Sequence, residues 1–353
     1  MVWSRFTKSS LRGASAMPTH SYWAFGLAKR LSKSLKDQLS IALSATFVIA
    51  ARDFFTSKTT YPQKRHAAYS LAGVLFLMQI NQSASALQIT DDRRVAVTFT
   101  EPPQRIVSLL PSLSESVCAL GQCQRLVGVD RYSNFPDRLK SLPKVGGGID
   151  PNVEAIAALK PDVVLVYGPS HASEQLESLG IKVVALQTNT HADVQRVLSV
   201  LGVLLAIPPA QGADRVWRGI DSRVSAVSQA LPVKSKSLRV YFEASTGPYA
   251  ASEASFIGET LTRLGVKNVV PAKLGPFPRL NPEYVVRADP DVIMISSRGI
   301  ANAAAYPGWH STRAVKNKRV CVFSNDDADV LVRPGPRMAE AAQLMAKCLA
   351  RYE

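Results

Sequence analysis

The sequence predicts an α/β fold: two parallel-sheet α/β lobes bridged by one long backbone helix, with a ligand cleft between them. Three observations lead there. Short apolar runs of strand length alternate with helical patterns, the signature of parallel sheets covered on both faces. One segment occurs twice, since Asn152-Val-Glu154-Ala-Ile-Ala-Ala-Leu-Lys-Pro161-Asp162-Val-Val-Leu-Val aligns without a gap on Asn281-Pro-Glu283-Tyr-Val-Val-Arg-Ala-Asp-Pro290-Asp291-Val-Ile-Met-Ile. Between the copies, Pro208–Pro232 carries Val216, Ile220, Val224, Val227 and Leu231 at spacings of three and four, one apolar stripe on a helix.

Composition bounds the chain before any element is assigned. Its 353 residues are 46% hydrophobic, enough for two lobes with real cores. The net charge of +15 is uneven: residues 1–87 hold 11 Lys/Arg against 2 Asp/Glu, leaving 31 against 25 for the remainder. The main body is therefore only mildly basic. It has no basic stripe interleaved with aromatics, and nothing in it supports nucleic-acid binding. Residues 1–63 read as a basic N-terminal extension with no core pattern and no assigned role. Residues 64–86 read as a secretory signal peptide, with Lys64-Arg65, the apolar run Ala67–Met78, and Ala84-Ser-Ala86 at the cleavage point. Its internal position is explained most simply by a true translation start downstream of Met1. The expectation is a mature chain from Leu87 in the periplasm, with no cysteine at the cleavage point to carry a lipid.

The first lobe, residues 87–207, opens with a predicted strand at Ile106–Leu110. A helix at Ser112–Leu120 follows, capped by Ser112 and Glu115 in a Ser-x-x-Glu box. Next come strand Leu126–Val129, helix Val153–Leu159, strand Val163–Tyr167, helix Glu174–Leu179, strand Val183–Leu186 and helix Ala192–Leu205. The bridging helix spans 208–232. Proline suits its first turn, where the missing N–H would be unbonded anyway, and Pro232 stops it. At 1.5 Å per residue it is roughly 30 Å long, a rigid connector. The second lobe, 233–353, repeats the alternation through Val240–Phe242, Phe256–Leu264, Val269–Val270, Pro282–Ala288, Val292–Ile295, Val320–Phe323 and Met338–Leu349. In both repeat copies a glutamate, Glu154 or Glu283, sits in the first helical turn, where the helix dipole favours an anion.

An enzyme should leave a catalytic constellation, and none is present. There is no G-x-S-x-G elbow, Walker A loop or H-E-x-x-H. Gly146-Gly147-Gly148 reads as a tight turn rather than a phosphate cradle. His171, His191 and His310 fall in separate predicted loops and read as exposed. The cysteines form no C-x-x-C pair. Cys118 and Cys123 are near enough to bond or to stay free, whereas Cys321 and Cys348 read as buried thiols. No catalytic residue, cofactor or metal site is expected. A metal enzyme on a two-lobed scaffold would need a Cys/His cluster at the cleft, and a sensor-coupled binding protein would differ from a transporter only in its partners.

Aromatic residues at predicted strand mouths are the better signal. Tyr132 and Phe135 lie in DRYSNFP, Tyr167 ends a strand, Tyr249 lies in STGPYAAS, Phe277 in GPFPRL and Trp309 in YPGWHS. They are flanked by Gly, Pro, Ser and charges rather than by apolar runs, which marks loops. Rings converging on a cleft suit a large, flat, partly apolar ligand. Asp329 and Arg333 add polar contacts, although an i,i+4 ion pair on one helix is also ordinary.

Four segments, PPQRIVSLLPSLSESVCALG, VGVDRYSNFP, NVEAIAALKPDVVLV and RPGPRMAEAAQLMAKCL, resemble the helical-backbone (class III) periplasmic substrate-binding proteins of ABC importers. The resemblance spans residues 95–352 and is strongest to the cobalamin-binding members, ahead of those for ferric siderophores. It implies two lobes on one long helix with limited hinge motion, no enzymatic activity, a monomer, and cobalamin or a related metal chelate as ligand. It implies that Tyr132, Tyr167, Tyr249 and Phe277 sandwich the ligand while Asp329 and Arg333 bond its periphery. It also implies that Glu154 and Glu283 dock onto an inner-membrane ABC permease with its ATPase. The chain departs from the pattern twice. Gly146-Gly147-Gly148 stands where cobalamin binders carry a tryptophan, and the residue near Leu264 is not cysteine, so Cys348 is expected to be unpaired. The alternative ligand is a ferric siderophore or haem, held by Arg279, Arg298 and Arg333.

Overall fold

The computed structural model describes residues 86–247, 249–303 and 306–352. The extension at 1–63 and nearly all of the signal segment at 64–86 lie outside them. An antiparallel hairpin, β1 (Leu87–Thr90) and β2 (Ala96–Phe99), begins the described chain. The sequence reading had no element there.

The first lobe follows in order: β3 (Ile106–Ser108), α1 (Pro111–Ala119), β4 (Leu126–Val129), α2 (Val153–Ala158), β5 (Val163–Val166), α3 (His171–Ser178), β6 (Val183–Ala185) and α4 (His191–Leu204). Its strands form one parallel sheet in the order β4-β3-β5-β6. The bridge is α5 (Ala213–Ala230). The second lobe runs β7 (Arg239–Ser245), β8 (Tyr249–Ala250), α6 (Phe256–Arg263), β9 (Lys267–Asn268), α7 (Pro282–Ala288), β10 (Val292–Ser296), α8 (Ser297–Ala303), α9 (Arg313–Lys316), β11 (Val320–Phe323), α10 (Asn325–Leu331) and α11 (Met338–Leu349). Here β11-β10-β7 are parallel, β9 joins the start of β7 in parallel, and β8 pairs its end antiparallel.

Burial along the strands shows why these sequences make parallel sheets. Successive side chains point to opposite faces. Val163 and Leu165 enter a central core, while Val164 and Val166 enter an outer core with Ile156 and Leu176. In the second sheet Val240, Phe242 and Met294 face the central core, and Tyr241, Ile293 and Ile295 face another outer core. The central core is continuous between lobes, because α5 contributes Ile220 and Val224 to it, both fully buried.

The bridging helix starts later than predicted. Pro208 lies in a turn whose carbonyl accepts from Gln211 and Gly212 N–H, and helical geometry begins at Ala213. Gly212 sits where a Cβ would meet the Ile207 side chain at 2.7 Å, so the turn packs too closely for a larger residue. Its 18 residues span about 27 Å.

The internal repeat reappears as closely similar bonding. Asn152 Oδ1 caps α2 by accepting from Ala155 N–H, and Asn281 Oδ1 accepts from Glu283 N–H at the head of α7. Asp162 N–H donates to the Arg105 carbonyl while its carboxylate accepts from Arg105 N–H, both at 2.8 Å. Asp291 does the same with Arg239, at 2.8 and 2.9 Å. Each Pro-Asp thus staples a strand entry to the start of the neighbouring strand.

Two expectations are corrected. Cys321 and Cys348 are not free thiols: they form a disulfide with Cα atoms 6.0 Å apart, which ties α11 to β11. Cys118 and Cys123 are bonded as well, with Cα atoms 4.0 Å apart. His191 is not an exposed loop histidine. It begins α4, is 8% exposed, and places Nε2 2.9 Å from Thr260 Oγ1 of the other lobe.

Candidate ligand-binding site

Open α/β sheets take ligands beyond the carboxyl ends of their strands, and both lobes present their loops there. After β4 the chain turns at buried Asp130, whose carboxylate accepts from Tyr132 N–H at 2.8 Å and from the Ser133 hydroxyl. Burial pushes the Asp130 carboxyl above its usual range, against the pull of those donors. The turn leaves the Tyr132 ring 60% exposed. Tyr167 follows β5, and its hydroxyl donates to Asn189 Oδ1 at 2.6 Å. From the second lobe, Phe277 packs on Phe256, the first residue of α6, with ring centroids 5.8 Å apart.

These groups meet around one mostly apolar cavity of about 400 Å³. Tyr132, Tyr167, Phe256, Phe277, Asp329 and Arg333 line it, with Leu110, Ser112, Thr188 and Asn189. Five residues assigned from sequence are therefore brought together. Tyr249 is the exception: it lies on β8, opposite Ser245 and bridged to Arg279, and is no part of this lining. Trp309 is a core residue, 4% exposed, stacked edge-on against Tyr241. Phe256, Ser112 and Thr188 were missed. Phe256 begins an amphipathic helix and reads as core. The Ser112 and Thr188 hydroxyls are buried in the lining without hydrogen-bond partners, which only tertiary structure reveals.

Arg333 does more than the sequence indicated. It is 6% exposed, and its guanidinium donates to Glu115 at 3.0 Å, Asn134 Oδ1 at 2.7 Å, the Tyr132 carbonyl at 3.0 Å and Asp329 at 2.6 Å. Arg337 clasps the same Glu115 through two bonds of 2.8 and 2.9 Å and lies 4.3 Å over the Phe135 ring. Glu115 therefore caps no helix. Leu110 occupies the N-cap of α1 without a side-chain bond, and the Ser112 hydroxyl is unpaired. The carboxylate instead joins the lobes by holding two arginines of the other one. Arg298 is occupied by Asn325 at 2.9 Å, and Arg279 by the Gly247 carbonyl at 2.8 Å. The glycine run is a turn, with Gly146 at φ +95° and an imagined Cβ 2.5 Å from the Asp150 carbonyl. Glu154 and Glu283 are exposed at the heads of α2 and α7. Among the described residues no cluster of three or more His, Cys, Asp or Glu could hold a metal ion.

A family model described as periplasmic binding protein matches residues 106–326. An uncharacterized ABC transporter substrate-binding lipoprotein of Bacillus subtilis, YvrC, is 29% identical over 272 residues, 74% of this chain and 84% of its own length. A vitamin B12-binding protein of Pectobacterium atrosepticum is 29% identical over 261 residues, 71% of this chain and 90% of its own. The crystal structure of a periplasmic heme-binding protein from Pseudomonas aeruginosa superposes with a TM-score of 0.59 at 27% identity, over 71% of this chain and 94% of that one. The two-lobed fold is shared, while the relatives divide between ligands.

Proposed function

Because the chain belongs to the periplasmic binding protein family and is the substrate-binding component of an ABC transporter, we propose that its cargo is a corrinoid, cobalamin or a near relative. The cargo is captured in the cavity between the lobes and delivered to an inner-membrane permease and its ATPase. The observation that carries this reading is the lining. Tyr132, Tyr167 and Phe277 supply broad apolar faces, and the charged residues among the lining, Asp329 and Arg333, neutralise each other at 2.6 Å. Such a wall suits a large ligand with little net charge. Arg279, Arg298 and Arg333, the cations an anionic iron chelate would want, are all bonded within the protein. A ferric siderophore or haem is the second reading, favoured by the heme-binding relative.

The protein works as a periplasmic monomer, after removal of residues 64–86, and two disulfides suit an oxidising compartment. Glu154 and Glu283, exposed at matching positions of the two lobes, dock onto basic residues of the permease. Charge reversal at both should abolish uptake with cargo affinity unchanged, and weakened affinity would count against docking. Calorimetry on the chain from Leu87 with cyanocobalamin, haem and a ferric hydroxamate tests the cargo. Tight one-to-one binding of the corrinoid alone is expected, and binding of an iron chelate alone would replace it with the second reading.

A further inference from the structure

The Tyr132 ring is 60% exposed, so little packing fixes it, and its direction is set by the backbone that carries it. That backbone is pinned on both sides. The Tyr132 N–H donates to Asp130 within the first lobe, at 2.8 Å, while the Tyr132 carbonyl accepts from Arg333 of the second, at 3.0 Å. The residues that follow are held in the same divided way. The Ser133 carbonyl accepts from Lys144 of its own lobe at 2.5 Å, and the Asn134 side chain reaches the other lobe. Asn134 Oδ1 accepts from Arg333 at 2.7 Å, and Asn134 Nδ2 donates to Asp329 at 3.2 Å. Arg337 then lies 4.3 Å over the Phe135 ring, a contact of cation and aromatic face.

Arg333 keeps little to offer a cargo. A guanidinium carries two N–H groups on each terminal nitrogen. Those of Nη1 go to Glu115 and Asn134, and those of Nη2 to the Tyr132 carbonyl and Asp329. All of them are spent within the protein, and the residue is 6% exposed. We propose that Arg333, with Asn134, is a positioning residue: instead of bonding the cargo, it presets the Tyr132 ring from the opposite lobe. The proposal rests on the reading of the cavity as the cargo site, and not on which cargo fills it. A ring whose backbone is anchored from both lobes before the cargo arrives loses less freedom on binding, and affinity is gained by that saving.

The test is a double-mutant cycle between Arg333 and Tyr132, read by calorimetry with cyanocobalamin, or with haem if the wild type takes haem instead. Arg333→Gln should weaken the probe about tenfold, the scale of a lost hydrogen-bonded anchor. In the Tyr132→Ala background the same change should cost less than about twofold, because no ring is left to place. Arg333→Lys should not rescue binding, since it keeps the charge but cannot fork to the Tyr132 carbonyl and Asn134 together. Should Arg333→Gln fail to fold, Asn134→Ala leaves every charge in place and runs the same cycle. Its expected loss is several-fold with the Tyr132 ring present and none without it. Equal losses with and without the ring, or recovery by Arg333→Lys, would show Arg333 bonding the cargo directly and would overturn the assignment while the cavity reading stands. Unchanged affinity in both Arg333→Gln and Asn134→Ala would overturn it as well. A wild-type protein that binds neither probe overturns both.

Discussion

Glu115 is a buried carboxylate held by two arginines from the other lobe, so removing it takes the ion-pair partner from Arg337 and leaves Arg333 with Asp329 alone. Breaking one side of such a network typically costs about 3–5 kcal/mol. Glu115→Ala should therefore lower unfolding stability by that order, read by urea titration, and should also loosen Tyr132 at the cavity. A loss under about 1 kcal/mol would mean that the network is ornamental. The sequence could not reveal this, because Ser112-x-x-Glu115 is indistinguishable from a capping box and the partners lie 218 and 222 positions away. His191 was misread for the same reason. Burial and then Arg263 lower its folded-state value from 6.5 to about 4. Between those values the unfolded chain binds the extra proton, so stability falls as pH drops from 6.5 toward 4, by at most about 1.4 kcal/mol per unit, and is unaffected above. Denaturation across that window should show the slope in the wild type and its reduction in His191→Gln.

Most elements were legible because each obeys a local rule. The strands Leu126–Val129 and Val320–Phe323 and the helices Pro282–Ala288 and Met338–Leu349 fall at their predicted bounds, since apolar runs and flanking Pro or Gly define them. The failures are places where tertiary contact decides. Strand pairing at Lys267–Asn268 lies two residues before the apolar Val269–Val270, because the register is set by Arg239 and Val240 of β7 rather than by hydrophobicity. The hairpin β1–β2 is short and half exposed, with little pattern to detect. The disulfide joining β11 to α11 was missed because nothing in the sequence says which face of the sheet α11 covers. Closing a loop of 27 residues, this bond should contribute about 3.5 kcal/mol through the unfolded state. The Cys321→Ser/Cys348→Ser protein should melt correspondingly lower under non-reducing conditions. A melting point equal to that of the wild type would show that the bond is incidental.

The whole molecule has one central core that passes from lobe to lobe through α5. Lobes that shared only a linker would unfold separately. Lobes sharing buried Ile220 and Val224 should unfold together, in a single calorimetric transition whose van't Hoff and measured enthalpies agree. Two resolved transitions would contradict the continuity of that core. The cavity was half legible at this scale. The aromatic loops announced a cleft, and five assigned residues line it. Tyr249 fell outside because β8 folds back on β7 as a hairpin, a turn of the chain that composition does not register.

The matching hydrogen bonds of Asp162 and Asp291 carry a further implication. Each fixes a short helix, and the glutamate at its head, at the same offset from its own sheet. The span between the two glutamates is then set by what lies between the sheets, and α5 is the yardstick. Deleting one residue from it would swing one lobe by about 100° against the other, and inserting a turn would part them by about 5 Å. Cargo pockets tolerate drift through their loops, but a yardstick does not. On the docking proposed above, the length of α5 answers to the footprint of the membrane partner rather than to the shape of the cargo. Receptors that share a permease should agree in that length even where their pockets have diverged.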